Sequence, residues 1–273
     1  MGRRLERTVG LLALLAACAA LPASGVRAAT IYLSTANIAT LGGVTFDDGD
    51  VVRYDTVSGV ATQVFDESTF ANNEQLDVYH VLPSGNVLLS TQNNAAIGAF
   101  GFSEGDVVEY NTSSGVATLF FAESLFLNDA DVDAFTVLSN GHYVLSTATS
   151  EQFDSGLSFL DGDLVEYNPV TGSATLFLNE SLFSADEDID AVYVMPDGSV
   201  LLSTATLATL GGLTFQPGDV VQYFPGTNTA VLFFAGTSFS AIENVDAIFV
   251  PEPGTGVLLT LGLAALARRR ARA

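Results

Sequence analysis

The chain has 273 residues, 48% of them hydrophobic, with 25 glycines and no tryptophan; that composition excludes a disordered chain and suits many short strands joined by turns, within a length that one all-β domain can fill. Eight of the nine basic residues (Arg3, Arg4, Arg7, Arg27, Arg268, Arg269, Arg270 and Arg272) lie near the ends, so residues 29–250 set 29 acids against Arg53 alone, a net charge of about −28. This excludes a nucleic-acid partner, which needs clustered cations. Divalent cations are the expected companions, although charge that only keeps a surface soluble has the same signature.

Residues 1–28 read as a secretory signal: a basic start (Arg3, Arg4, Arg7), an apolar run from Val9 to Ala20, and a small-residue cleavage site at Val26-Arg27-Ala28. A second reading takes Leu15-Ala16-Ala17-Cys18 as a lipobox, with Cys18 as a lipid-modified N-terminus. Cys18 is the single cysteine, so a disulfide within the mature monomer and a Cys/His metal site are both excluded.

Residues 29–250 are built from four repeats. The pairs Gly49-Asp50, Gly105-Asp106, Gly162-Asp163 and Gly218-Asp219 recur at 56, 57 and 56 residues, each with a phenylalanine four positions before the Asp (Phe46, Phe102, Phe159, Phe215) and a tyrosine four after it (Tyr54, Tyr110, Tyr167, Tyr223). A hairpin pattern recurs with the same period at Asp77 to Thr91, Asp133 to Thr147 and Asp190 to Thr204. Its fourth copy is divided, with IYLST at Ile31 to Thr35 and VDAIFV at Val245 to Val250. Each unit shows four strand-like runs with turn signals between them; AVYVM, SVLLST, DLVEY and SATLFL exemplify the third. Runs such as VLLS, DVV and TLFF are apolar on both faces, as in a sheet covered on both sides.

The expected fold is all-β: four four-stranded repeats of about 56 residues forming a small β-propeller. Pairing of the N- and C-terminal strands would close the ring and remove two exposed sheet edges. A β-solenoid and a propeller completed by a second chain are the alternatives.

The acidic loops before the hairpins are the candidate metal ligands: Asp129, Asp131 and Asp133; Asp186, Asp188 and Asp190; and the equivalent Asp77 and Asp246. The D-x-D-x-D spacing places alternate carboxylates on one side of an extended chain, and hard oxygen donors favour Ca²⁺. They are not EF-hands, because Ala134 or Ala191 stands at the sixth position and Asn140 or Asp197 at the twelfth. Three arrangements stay open: a ring of four carboxylates around an axis, which repels itself unless cations or protons intervene; one ion per loop; or carboxylates that only accept backbone hydrogen bonds at turns. In the Gly-Asp pair, glycine is expected to permit a tight turn and Asp to cap a strand, with the Phe and Tyr filling the space between blades.

At the C-terminus, Val250-Pro251-Glu252-Pro253 precedes an apolar run from Val257 to Ala267 and an arginine-rich end. The run is short for a permanent span, and the arginines would hold it at the cytoplasmic face. These three parts, in this order, resemble the PEP-CTERM sorting signal. The resemblance implies a Gram-negative bacterium, processing by an exosortase after transient membrane association through residues 254–267, and delivery to the cell surface or the extracellular polysaccharide matrix. No catalytic residue is assigned: His80 and His142 occupy non-equivalent, half-exposed positions, and neither has a recognisable nucleophile beside it. The expected role is a non-enzymatic structural or binding module for polysaccharide or protein. A propeller hydrolase or lactonase is the alternative.

Overall fold

The computed structural model describes residues 30–251. The signal segment, Cys18, and the sorting segment from Glu252 onward, including 254–267, lie outside the described residues.

Four four-stranded antiparallel sheets form the blades of a propeller. From the inside outward, blade 1 comprises Val245–Phe249, Thr30–Thr35, Val51–Asp55 and Val60–Phe65. Blade 2 comprises Leu76–Val81, Val87–Thr91, Val107–Asn111 and Val116–Phe121. Blade 3 comprises Ala134–Val137, Tyr143–Ser146, Leu164–Asn168 and Ser173–Leu178, and blade 4 Ala191–Val194, Val200–Ser203, Val220–Phe224 and Thr229–Phe234. The innermost strands touch one another in cyclic order. The ring is closed by the two ends of the described chain: Tyr32 lies opposite Phe249, Leu33 opposite Ile248 and Ser34 opposite Ala247.

The hairpins follow from their turn residues. In blades 2, 3 and 4 the inner pair of strands is joined through Gly85, Gly141 and Gly198, all at φ between 81° and 85°, where a side chain would be strained. The outer pair turns through Gly59, Gly115 and Gly172 at φ near 70°, and blade 4 uses Asn228 at φ 50° instead; asparagine tolerates this region better than other residues with a side chain. Tyr223 fixes that Asn228 by donating its hydroxyl to Oδ1 at 3.0 Å.

Aromatic side chains fill the seams between blades. Tyr54 meets Phe234, Tyr110 meets Phe65 and Tyr167 meets Phe121, each edge-on with centroids 5.7–6.3 Å apart, an arrangement that adds about 0.5–1.5 kcal/mol beyond burial alone.

Three sequence expectations need correction. DLVEY and SATLFL do not share a sheet with AVYVM and SVLLST; they complete blade 3, while blade 4 takes Val220–Phe224 and Thr229–Phe234. TLFF is not covered on both faces, because it lies in an outermost strand, where Leu119 is half-exposed. Each repeat also carries a short hairpin that the four-run reading omitted, such as Ala39–Leu41 with Val44–Phe46. These hairpins tie neighbouring blades together through bridges such as Phe70 to Ile97 and Leu41 to Phe239.

Candidate metal centre

The Gly-Asp pair anchors the acidic loops. In each repeat the Asp carboxylate accepts from the backbone N–H three residues earlier and from one seventeen residues later; for Asp163 these donors are Leu160 and Glu180. Its glycine sits in a tight turn as expected, closed in the third repeat by the Asp163 N–H donating to the Leu160 carbonyl at 3.0 Å, but not at positive φ, so the turn by itself does not demand glycine. A Cβ on Gly49, Gly105, Gly162 or Gly218 would lie 2.0–2.6 Å from the carbonyl oxygen of Glu74, Ala130, Glu187 or Glu243. Glycine is needed there for close approach of the acidic loop leading into the next blade.

Two further sets of bonds fix those loops. The N–H groups of Leu76, Val132, Ile189 and Val245 donate to the carbonyls of Asp48, Glu104, Asp161 and Pro217. The carbonyls of Gln75, Asp131, Asp188 and Asn244 accept from Gln92, Ala148, Ala205 and Ala36. The serine of each L-S-T triplet, fully buried, stitches the same turn from below: Ser90 Oγ donates to Glu104 at 3.0 Å and to Asp106 at 2.9 Å. The repetition of this serine was visible in the sequence, but its role was not.

The loops converge on one mouth of the propeller axis. Asp77, Asp133, Asp190 and Asp246 sit there, buried, together with Gln75, Asp131, Asp188 and Asn244, around a pocket of about 250 Å³. The second set meets the first across the seams. Gln75 Nε2 donates to Asp246 Oδ2 at 2.6 Å, and Asn244 Nδ2 donates to Asp190 Oδ2 at 2.5 Å. At the other two seams the partner is a carboxylate, so Asp131 faces Asp77 and Asp188 faces Asp133. The expected ring of four carboxylates is therefore six carboxylates and two amides. The buried oxygens without a hydrogen-bond partner fall mainly at the carboxylate seams: Asp77 Oδ2, Asp131 Oδ1, both oxygens of Asp133, and Asp188 Oδ1, with Asn244 Oδ1 also on the ring.

Electrostatics follow from this layout. Burial, then the neighbouring charges, raises Asp77, Asp133 and Asp246 well above the usual carboxylate range. Burial and nearby acids push Asp131 up to about 7. Burial does the same to Asp190, despite the Asn244 bond, and raises Asp188 to about 6. Arg53 is exposed on the third strand of blade 1, opposite Tyr32 and Thr62, so it supplies no countercharge to the ring. Two ionised carboxylates can only accept; at each carboxylate seam a proton or a cation is required. Asp133, Asp188 and Asp190 each present an oxygen within 4.8 Å of the other two, a spacing that a hard cation can bridge.

Beneath the ring the axis is plugged. His80 Nδ1 lies 3.3 Å from Thr136 Oγ1, and the imidazole packs against Phe249 at 5.1 Å and Tyr193 at 6.2 Å, so His80 touches all three other blades. The expectation of a half-exposed His80 is corrected: it is buried, and burial lowers it to about 4. His142 is partly exposed and lies 2.6 Å from Glu166.

The D-x-D-x-D loops are divided rather than one-sided. Asp131, Asp133, Asp188 and Asp190 face the axis, whereas Asp129 and Asp186 turn outward, each joining two other acids. The loops are not extended strands, so a period of two does not hold there. Sequence reasoning missed the other members of those outer groups, Glu104, Glu123, Asp161 and Glu180, although the E-S-L triplets carrying Glu123 and Glu180 recur with the repeat.

This geometry defines a four-bladed β-propeller with an acid-ringed axis. The chain carries a PEP-CTERM protein-sorting motif, matched over residues 249–272, a signal that indicates an exported protein and implies processing by exosortase. Among the described residues no helix is long and apolar enough to cross a membrane. No curated protein matches the chain. Solved structures with some likeness include the extracellular domain of a one-component system from B. thetaiotaomicron (11% identity, TM-score 0.35, 76% of this chain and 33% of that one). Others are virginiamycin B lyase from Staphylococcus aureus (8%, 0.35, 75% and 73%) and a Bacteroides caccae protein of unknown function (8%, 0.35, 80% and 97%). The chain thus spans about a third of the length of the first of these.

Proposed function

We propose that this chain is an exported, non-enzymatic propeller whose axial acid ring is closed by Ca²⁺, and that it serves as a surface or matrix module binding polysaccharide or protein. The observation that carries the reading is the pair of carboxylate seams, Asp131 with Asp77 and Asp188 with Asp133, which hold orphaned buried oxygens and no basic side chain. Oxygen-only donors, carboxylates with an amide oxygen beside them, suit Ca²⁺ better than a transition metal. The sorting motif supports delivery to the surface or polysaccharide matrix of a Gram-negative cell. The non-enzymatic part is supported by the enclosure of His80, which is buried among Thr136, Tyr193 and Phe249.

Melting the purified protein with EDTA and with millimolar Ca²⁺ tests the cation; a rise of several degrees with Ca²⁺ is expected, and an unchanged melting temperature withdraws it. A glycan array tests the binding role. Robust turnover of a sugar or lactone substrate, lost in Asp131→Asn and Asp188→Asn, would overturn the non-enzymatic reading in favour of a hydrolase.

A further inference from the structure

Outside the axial ring, two groups of acids repeat at equivalent places. Asp161 stands in the turn before the third strand of blade 3, Glu180 opens the single-turn 3-10 helix after its fourth strand, and Asp186 lies in the connection to blade 4. One oxygen from each lies within 4.8 Å of the other two. Glu180 is only 7% exposed, and its Oε2 has no hydrogen-bond partner. Its backbone is pinned by the 2.7 Å bond to Asp163 Oδ1, and its Cγ occupies the space that a Cβ on Gly162 would fill. The group one repeat earlier is Glu104, Glu123 and Asp129, where Glu123 also accepts from the Ala130 N–H at 3.2 Å.

The other two repeats separate a structural role from a binding one. Blade 4 has Pro217, Gly236 and Ile242 at these three positions, so all three oxygens are lost together although the positions are 25 residues apart in sequence. Its backbone is nevertheless built the same way: Gly236 N–H donates to Asp219 Oδ1, Val245 N–H donates to the Pro217 carbonyl, and the 3-10 turn Gly236–Ser238 forms. The fold therefore does not need the acids, and Ile242 stands 91% exposed where Asp186 stands in the complete group. Blade 1 is intermediate, with Asp48, Glu67 and Asn73, and Glu67 Oε2 is again buried without a partner.

We propose that Asp161, Glu180 and Asp186 form a divalent-cation site at the connection between blades 3 and 4, distinct from the axial ring. Three carboxylates with an exposed side left for water are the donor set of a hard cation such as Ca²⁺. The exposed Asp186 sets this site on the rim, while the buried Glu180 supplies the inner ligand.

The test is Ca²⁺ titration calorimetry on the purified exported protein, in wild type, Glu180→Gln, Asn73→Asp and the axial variant Asp133→Asn. Glu180→Gln is expected to weaken one site by about tenfold or more, since even outer-shell changes cost that much, and to leave the remaining sites unchanged. Asn73→Asp completes the third carboxylate in blade 1 and is expected to add one ion to the stoichiometry, a gain that no folding defect can imitate. Asp133→Asn is expected to remove axial binding only. Unchanged affinity and stoichiometry in both Glu180→Gln and Asn73→Asp would overturn the rim site, and would do so whether or not the axial variant loses its ion.

Discussion

Asn244 donates its side-chain amide to Asp190 across the seam between blades 4 and 1, while Asp188, at the same repeat position one blade earlier, faces Asp133 with a second carboxylate. The repeat thus contains both solutions to one problem, an amide that satisfies the buried acid and a carboxylate that needs an external cation. Asp188→Asn copies the first solution into the second seam. It is expected to raise the melting temperature in EDTA, because leaving a buried acceptor unsatisfied costs about 1–3 kcal/mol. It should also shrink the stabilisation given by Ca²⁺. Paired thermal melts of wild type and variant, with and without Ca²⁺, measure both effects.

The ring also sets the pH dependence of the metal-free protein. Burial raises Asp131 and Asp190 to about 7 and Asp188 to about 6, above their unfolded values near 4. Between those limits the folded state binds more protons than the unfolded one, so stability falls as pH rises. In EDTA the protein is therefore expected to melt higher at pH 5 than at pH 8, with most of the loss between pH 5 and 7. Saturating Ca²⁺ replaces the protons and should flatten the slope. Denaturant titrations at several pH values check this, and equal stability at pH 5 and 8 without Ca²⁺ would refute it.

The architecture was legible because it is repetitive: turn glycines, seam aromatics and the divided hairpin recur at a fixed interval, and Tyr32 opposite Phe249 is the pairing that the division implies. The site was legible only in part. Asp77, Asp133, Asp190 and Asp246 could be named from spacing, but not which loop residue each would meet, because Gln75, Asp131, Asp188 and Asn244 act across seams on the neighbouring repeat. The burial of His80 was hidden for a similar reason. Its neighbours Thr136, Tyr193 and Phe249 each come from a different blade, and no local pattern records where four inner strands converge.

Close approach, rather than turn conformation, explains the glycine of each Gly-Asp pair. A methyl group at Gly162 would lie 2.1 Å from the Glu187 carbonyl oxygen and 2.5 Å from Glu180 Cγ, so Gly162→Ala must displace an acidic loop. A cost of about 1–3 kcal/mol or more is expected, as for other overpacked sites. Gly226→Ala is the control: nothing lies within 4 Å of its Cβ position, and its φ is not positive. That change is expected to be neutral or to stabilise by about 0.4–1 kcal/mol through the unfolded chain. Urea denaturation of the two variants distinguishes them.

The final strand is the clasp of the ring, and its neighbourhood makes a sharp comparison possible. All five residues of Val245–Phe249 are buried, and the strand carries Asp246 of the axial ring as well as Phe249 of the axial plug. Burial of Val245, Ile248 and Phe249 contributes about 1.5–3 kcal/mol each, a sum comparable with the whole margin of about 5–15 kcal/mol that keeps a domain folded. Removing the strand also exposes the inner edge of Thr30–Thr35 and opens the cycle of inner strands. Deletion of Val245 to Val250 is therefore expected to abolish cooperative melting or lower its midpoint severely. Deletion of Gly254 to Ala273, which begins beyond the clasp, should leave the midpoint within a few degrees of the full chain. Equal melting temperatures for the two truncations would show that the ring does not depend on its terminal pairing.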